Sequence, residues 1–154
     1  MKHIILAPDS FKGTMSSSKV CGIMEEVLLQ YFPDTKICKL PVADGGEGTV
    51  ECFREAVGGT EIRLKICGPH FEDIEASYVI LPDGITAVIE LASAAGLPLV
   101  GEKKDPSKTT TFGVGQMLMN ALQRGCTNII LGLGGSSTND GGAGMAAALG
   151  VRFF

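Results

Sequence analysis

Long apolar runs are missing from this sequence, and so are clusters of one charge. No stretch approaches the ~20 apolar residues that a membrane span needs. No lysine- or arginine-rich run occurs, and net charge is -4 over 154 residues. Neither a nucleic acid nor a membrane is therefore expected as a partner. Charged residues amount to only 19%, too few for a disordered chain, while 45% hydrophobic residues can build a core. The five cysteines, Cys21, Cys38, Cys52, Cys67 and Cys126, form no C-x-x-C, and His3 and His70 stand alone. That argues against a zinc site and for reduced, mostly buried thiols in a cytoplasmic protein. A signal peptide is not expected either, because the first apolar run is short and breaks at Pro8-Asp9. Internal repeats and low-complexity tracts are absent.

What the chain does have is a glycine-rich stretch over residues 128–145. Ile129-Ile130-Leu131 reads as a buried parallel strand. Gly132, Gly134 and Gly135 lead into Ser136-Ser137-Thr138-Asn139-Asp140, then Gly141, Gly142 and Gly144, then an alanine-rich helix. A turn of this kind gathers backbone N–H groups, lets the main chain approach a phosphate and adds the positive end of a helix. The Walker pattern is lacking, since no Lys-Ser or Lys-Thr follows the glycines. Ser137 stands where the dinucleotide fingerprint needs its third glycine. A tight, capped strand-to-helix turn accounts for two or three of the glycines. An anion or substrate site accounts for the rest.

From the start, residues 2–7 read as a strand ending in a loop with Asp9 and Lys12. A helix begins after Ser16 as N-cap, with Val20, Ile23, Met24, Val27 and Leu28 as its apolar stripe, and stops at Pro33. Residues 35–40 give a second strand and complete a βαβ unit. Its end, with Asp44, Gly45, Gly46 and Glu47, is another glycine-bearing turn before a short helix with Val50, Phe53 and Val57. Three turns thus follow strands and hold an aspartate beside glycine. In an open parallel sheet, Asp9, Asp44 and Asp140 face one crevice at its carboxyl edge.

Residues 60–66, 76–81 and 86–91 have no helix between them and read as an antiparallel meander with one wetted face. Residues 96–108 read as a linker or flap. Thr109-Thr110-Thr111 opens a helix with Val114, Met117, Leu118, Ala121 and Leu122 on one face. Gly113 and Gly115 in its first turn serve either close packing or a backbone approach to ligand. Residues 151–154 read as a strand beginning. The expected fold is α/β. A Rossmann-like parallel sheet over 1–58 and 107–154 carries the strands of both Ile4 and Ile129. An antiparallel excursion over 59–106 starts a second, smaller domain.

The segments Ala7-Pro8-Asp9-Ser10-Phe11-Lys12-Gly13, Leu40-Pro41-Val42-Ala43-Asp44-Gly45-Gly46-Glu47-Gly48-Thr49 and Gly132-Leu133-Gly134-Gly135-Ser136-Ser137-Thr138-Asn139-Asp140-Gly141-Gly142-Ala143-Gly144-Met145 resemble the signature blocks of bacterial glycerate kinases. Glu90 to Leu99 and Thr109 to Gly115 resemble two further blocks, so the likeness covers almost the whole chain in order. The chain departs from the family pattern at Lys19, where an acid is usual, and at His70 and Phe71. Family chains are more than twice as long, so the resemblance implies an amino-terminal portion.

The resemblance implies phosphorylation of D-glycerate from ATP with magnesium, mostly to 2-phosphoglycerate, in a site between two α/β domains. A non-catalytic anion- or nucleotide-binding module is the alternative. Asp9, Lys12, Asp44 and Asp140 are the candidate catalytic residues, with Asp44 and Asp140 as magnesium ligands. Ser10, Gly45, Gly46, Glu47, Gly134, Gly135, Ser136, Thr138, Asn139, Gly141 and Gly142 are the candidates for substrate or phosphate. Lys12 holds a phosphate or the glycerate carboxylate, or is a solvated loop lysine. Glu47 is a ligand or a first-turn acid favoured by the helix dipole. The chain alone is expected to have negligible kinase activity, to bind a phosphate-bearing ligand weakly through residues 134–142, and to self-associate.

Overall fold

The computed structural model describes residues 3–154; Lys2, at the head of the first expected strand, lies outside them. Strand β1 (His3–Leu6) is followed by helix α1 (Ser17–Tyr31), strand β2 (Lys36–Lys39) and helix α2 (Thr49–Val57). β1 and β2 pair in parallel, Ile4 against Ile37. Ser16 caps α1 as expected, its hydroxyl accepting the Lys19 N–H at 3.3 Å.

A second sheet holds β3 (Thr60–Cys67), β4 (Asp73–Ile80), β5 (Thr86–Glu90) and β6 (Asn128–Gly132), in the order β3-β4-β5-β6. β3 and β4 form an antiparallel hairpin, and β4 pairs antiparallel with β5. β5 then pairs in parallel with β6, Val88 against Ile130. Between them run α3 (Ala92–Ala95), two 3-10 turns (Leu97–Val100 and Pro106–Lys108) and α4 (Phe112–Gln123). Helix α5 (Ala143–Ala148) follows β6.

The class is mixed α/β, but the expected single sheet carrying both Ile4 and Ile129 is not formed. The strand of Ile129 pairs with β5, and β1 with β2 stands as a separate pair. The cause lies in β5. Its residues are all buried, with Ala87, Val88 and Ile89 at 0% exposure. A strand covered on both faces carries a continuous apolar run and suits a parallel neighbour. The expected antiparallel meander is formed by β3, β4 and β5, and β5, α4 and β6 then make a second βαβ crossover.

The main core belongs to this second sheet. Ile66, Tyr78, Ile89, Val114, Met117 and Ala121 pack in one cluster from β3, β4, β5 and α4. The Tyr78 hydroxyl donates to Asn120 Oδ1 at 2.8 Å, which satisfies the one polar atom of a fully buried ring. The smaller β1–β2 pair covers much less. Of the stripe expected on α1, Val20 is buried, whereas Ile23, Met24 and Val27 are exposed because two strands are too narrow to cover them. Leu122, expected on the buried face of α4, is also exposed. Residues 151–154, expected to begin a strand, have no regular structure and are exposed. All five thiols are free; Cys21 and Cys126 are buried, Cys38 is exposed, and the other two are half-buried, so burial is less general than expected. Among the described residues no helix is long and apolar enough to cross a membrane.

The structure decides the question about the glycines of α4 for close packing. A Cβ on Gly113 would collide with the Cys67 carbonyl, and one on Gly115 with the Met145 carbonyl of α5. Gly115→Ala should lower stability by about 1–3 kcal/mol in urea denaturation, although alanine favours the helix by ~1 kcal/mol. A neutral or stabilising effect would show that α4 and α5 do not pack this closely.

Candidate functional site

The loop after β1 folds on itself. The Phe11 N–H donates to the Met15 carbonyl at 2.9 Å and the Thr14 N–H to the Phe11 carbonyl at 2.8 Å, so Lys12 stands at the tip of a tight turn. Lys12 Nζ lies 3.0 Å from Asp44 Oδ2, in the turn after β2. The other Asp44 oxygen accepts the Gly46 N–H at 3.0 Å. The hydrogen bond and charge of Asp44 hold the Lys12 ammonium above its ordinary value, and those same contacts with the Gly46 N–H hold Asp44 below its own. Both side chains are more than half exposed, at 64% and 51%, so the pair contributes little stability. Asp9 is exposed, accepts the Ser10 N–H at 2.6 Å and adds its charge to the field at Lys12.

Ser17 joins these two loops. Its buried hydroxyl donates to the Pro8 carbonyl at 2.6 Å and accepts the Val42 N–H at 3.1 Å. A cavity of about 270 Å³ opens beside them, lined by Ser10, Lys12, Thr14, Ser16, Glu47 and Glu51 among others. The structure therefore gathers Ser10, Lys12, Asp44 and Glu47 in one place.

The turn after β6 meets this group main chain to main chain. The Gly134 N–H donates to the Gly45 carbonyl at 2.9 Å, and a Cβ on Gly134 would stand 2.7 Å from the Gly46 nitrogen. The carboxyl ends of β2 and β6 thus converge although their strands share no sheet. The start of the segment expected as a linker or flap is tied to the same turn. The Leu97 N–H donates to the Gly135 carbonyl at 2.9 Å, the Ser137 N–H to the Ala95 carbonyl at 2.8 Å, and Gly96 bridges Ser136. Ser136 and Thr138 spend their hydroxyls on each other at 2.8 Å; Asn139 and Gly141 are exposed.

Asp140 is placed differently from Asp44. Its Oδ2 accepts the Thr111 N–H and hydroxyl, both at 2.8 Å, and the Gly144 N–H at 3.1 Å; Oδ1 accepts the Gly142 N–H at 3.0 Å. Four donors join the start of α4 to the start of α5 through one carboxylate. Among the described residues no hydrogen bond or ion pair joins Asp140 to Asp44 or Lys12. Of the three turns expected in one crevice, the first two and the glycines of the third meet, while the third aspartate braces two helices. Among the described residues no three His, Cys, Asp or Glu side chains form a metal-binding group. Asp44 keeps lone pairs beyond its two contacts and fits a single carboxylate ligand of a magnesium–phosphate complex; Asp140 carries three donors on Oδ2 and one on Oδ1.

Sequence reasoning gave no role to Ser17, Glu90 or Thr111, although the last two stand in blocks of family resemblance. Glu90, the last residue of β5, is 7% exposed and accepts the Val50 N–H of α2 at 2.5 Å. The available signals were weak: a serine run at a helix start, one acid inside an apolar run, and a threonine triplet.

The profile of the glycerate kinase family matches residues 4–154. The chain is 50% identical to glycerate 2-kinase of Escherichia coli K12 over 150 residues, covering 97% of this chain and 39% of that protein. It is 46% identical to glycerate kinase of Halalkalibacterium halodurans over 153 residues, covering 99% and 40%. A solved structure from Salmonella typhimurium LT2, assigned as a glycerate kinase 2, superposes with a TM-score of 0.79 at 44% identity, over 97% of this chain and 40% of that one. The chain thus spans about two-fifths of the length of the relatives it matches.

Burial pushes the Asp140 carboxyl up, but the hydrogen bonds from Thr111, Gly142 and Gly144 outweigh it and leave the group below the ordinary value. A group lowered in the folded state contributes stability that is complete above its unfolded value of about 3.9 and is lost as pH falls through the folded one. Asp140→Asn should therefore cost about 1–3 kcal/mol at pH 7 in urea denaturation and flatten the decline of stability below pH ~4. An unchanged acid profile would show that the bracing bonds are not formed.

Proposed function

Because the chain belongs to the glycerate kinase family, we propose that it carries part of the site of a cytoplasmic kinase that transfers phosphate from ATP, with magnesium, to the 2-hydroxyl of D-glycerate. The observation that carries this reading is the Lys12–Asp44 pair at 3.0 Å, in which Lys12 lines the cavity and Asp44 stands next to the Gly45 carbonyl of the main-chain junction with Gly134. Phosphoryl transfer needs positioning and charge rather than covalent help from the protein. The glycerate hydroxyl oxygen attacks the γ-phosphorus, the bond to the β–γ bridging oxygen breaks, and ADP leaves. The hydroxyl proton passes to Asp9 or Asp44, two of the three carboxylates, with Glu47, whose charge acts on Lys12. Lys12 leaves Asp44 in part to neutralise a phosphate or the glycerate carboxylate. Magnesium, when bound, would offset charge on the transferring group, and Asp44, with lone pairs beyond its two contacts, would hold it. The name of the Escherichia coli relative, glycerate 2-kinase, supports the 2-position.

Isothermal titration with ATP–magnesium and a coupled assay for phosphoglycerate test this reading on the purified chain. Weak binding and little or no turnover are expected, because the chain spans about two-fifths of its relatives. Lys12→Ala should weaken ATP–magnesium or glycerate binding about tenfold or more. Unchanged affinity for both ligands would move the site away from Lys12. Turnover of about 1–100 per second from the chain alone would show that a cleft of this extent suffices.

A further inference from the structure

Glu90 has no part in the reading above, yet among the described residues it is the one buried carboxylate. It ends β5 at 7% exposure and reaches across to α2, where Oε1 accepts the Val50 N–H at 2.5 Å. Burial pushes the Glu90 carboxyl above its ordinary value, against the Val50 and Gly48 N–H groups that favour its charged form, and the Ser93 hydroxyl donates to Oε2 at 3.4 Å. Helix α2 needs this help. Its N-cap is Gly48, in left-handed conformation with no side chain to accept the first N–H groups. The cap comes instead from the neighbouring sheet.

The turn immediately before α2 carries Asp44 and Glu47. A second tie crosses at the same place, the bond from the Gly134 N–H to the Gly45 carbonyl. One tie holds the front of the turn and Glu90 holds its back, at the first turn of α2. We propose that Glu90 is the positioning residue of the cleft: by capping α2 from β5, it sets where Asp44 and Glu47 stand against Lys12. The proposal deepens the kinase reading, since it says what keeps that site in register, but its test needs no turnover. The charged groups that share its groove are Glu51, Arg54 and Glu61, with Glu47 close by.

The test reads backbone amide NMR shifts and hydrogen-exchange protection at Gly45, Gly46 and Glu47, in the whole 154-residue chain well below its unfolding temperature. The Gly46 N–H is held on Asp44 Oδ1 at 3.0 Å, so its amide reports the geometry of the turn. Glu90→Ala removes both cap and charge, whereas Glu90→Gln removes the charge but keeps an amide oxygen that accepts the Val50 N–H. Glu90→Ala should move the Gly45, Gly46 and Glu47 amides and speed exchange at Gly46 about tenfold or more, with Glu90→Gln close to the wild type. Val114→Ala, a core change in α4, should lower the melting temperature without moving those amides, which separates positioning from general loosening. A folded Glu90→Ala variant with those amides unmoved, or a Glu90→Gln variant that moves them as far, overturns the proposal. Should Glu90→Ala not fold, the wild-type chain decides: the Val50 amide must be protected from hydrogen exchange, and free exchange there overturns the proposal equally.

Discussion

A single main-chain contact organises this protein: the Gly134 N–H on the Gly45 carbonyl, with the Gly46 backbone lying against Gly134. No side chain can stand at Gly134, because a Cβ there would come 2.7 Å from the Gly46 nitrogen. Through this contact the carboxyl end of a two-stranded sheet meets the carboxyl end of a four-stranded one. Ligand-binding turns gather at such ends when strands are parallel. Here the gathering is achieved between sheets rather than within one. Of the glycines singled out by a phosphate-loop reading, Gly132, Gly134 and Gly144 leave no room for a Cβ and so have a packing reason for their presence, while Gly135, Gly141 and Gly142 sit at positive φ in the turn.

The two halves contribute unequally. The second sheet with α4 supplies the main buried cluster, including Tyr78, Ile89 and Met117 at 0% exposure. The β1–α1–β2 unit has little core of its own: Leu6, Val20 and Cys21 are buried, while Ile5, Ile23, Met24 and Val27 are exposed. Lys12 and Asp44 both stand on this lightly packed unit. Their placement therefore depends on a few polar stitches: Ser17 between the Pro8 and Val42 segments, Glu90 on α2, and the glycine junction. Hydrogen bonds to buried hydroxyls and carboxylates suit that task, since their geometry is specific and an unmade bond in a buried place is costly.

Much of this was legible beforehand. Helix α1 with its Ser16 cap, the β1–α1–β2 unit, the β3–β4 hairpin and the glycine turn after β6 all follow from local pattern. The partner of β6 did not, because pairing depends on contacts distant in sequence. The informative residues were Ala87, Val88 and Ile89, whose unbroken apolar run marks a strand covered on both faces. For the site, the blocks carrying Ser10, Lys12, Asp44 and Glu47 do assemble. Asp140 shows the limit of motif reading. An aspartate beside glycine looks the same whether it serves a ligand or braces two helices, and only the four donors around it tell which. Likewise the acid in β5 gave no hint that its partner would be the Val50 N–H, forty residues earlier in the chain.

The central claim is that a phosphate-bearing ligand enters at the junction of the Asp44 and Gly134 turns, beside Lys12. The most direct measurement is an amide NMR titration of the chain with ATP–magnesium, with every shift mapped by residue. The account predicts that the largest changes fall on Ser10, Lys12, Gly45, Gly46, Glu47 and Gly134, with Thr111 and Gly144 little affected. Changes confined to the Asp140 brace, or to the exposed face of α1, would contradict it.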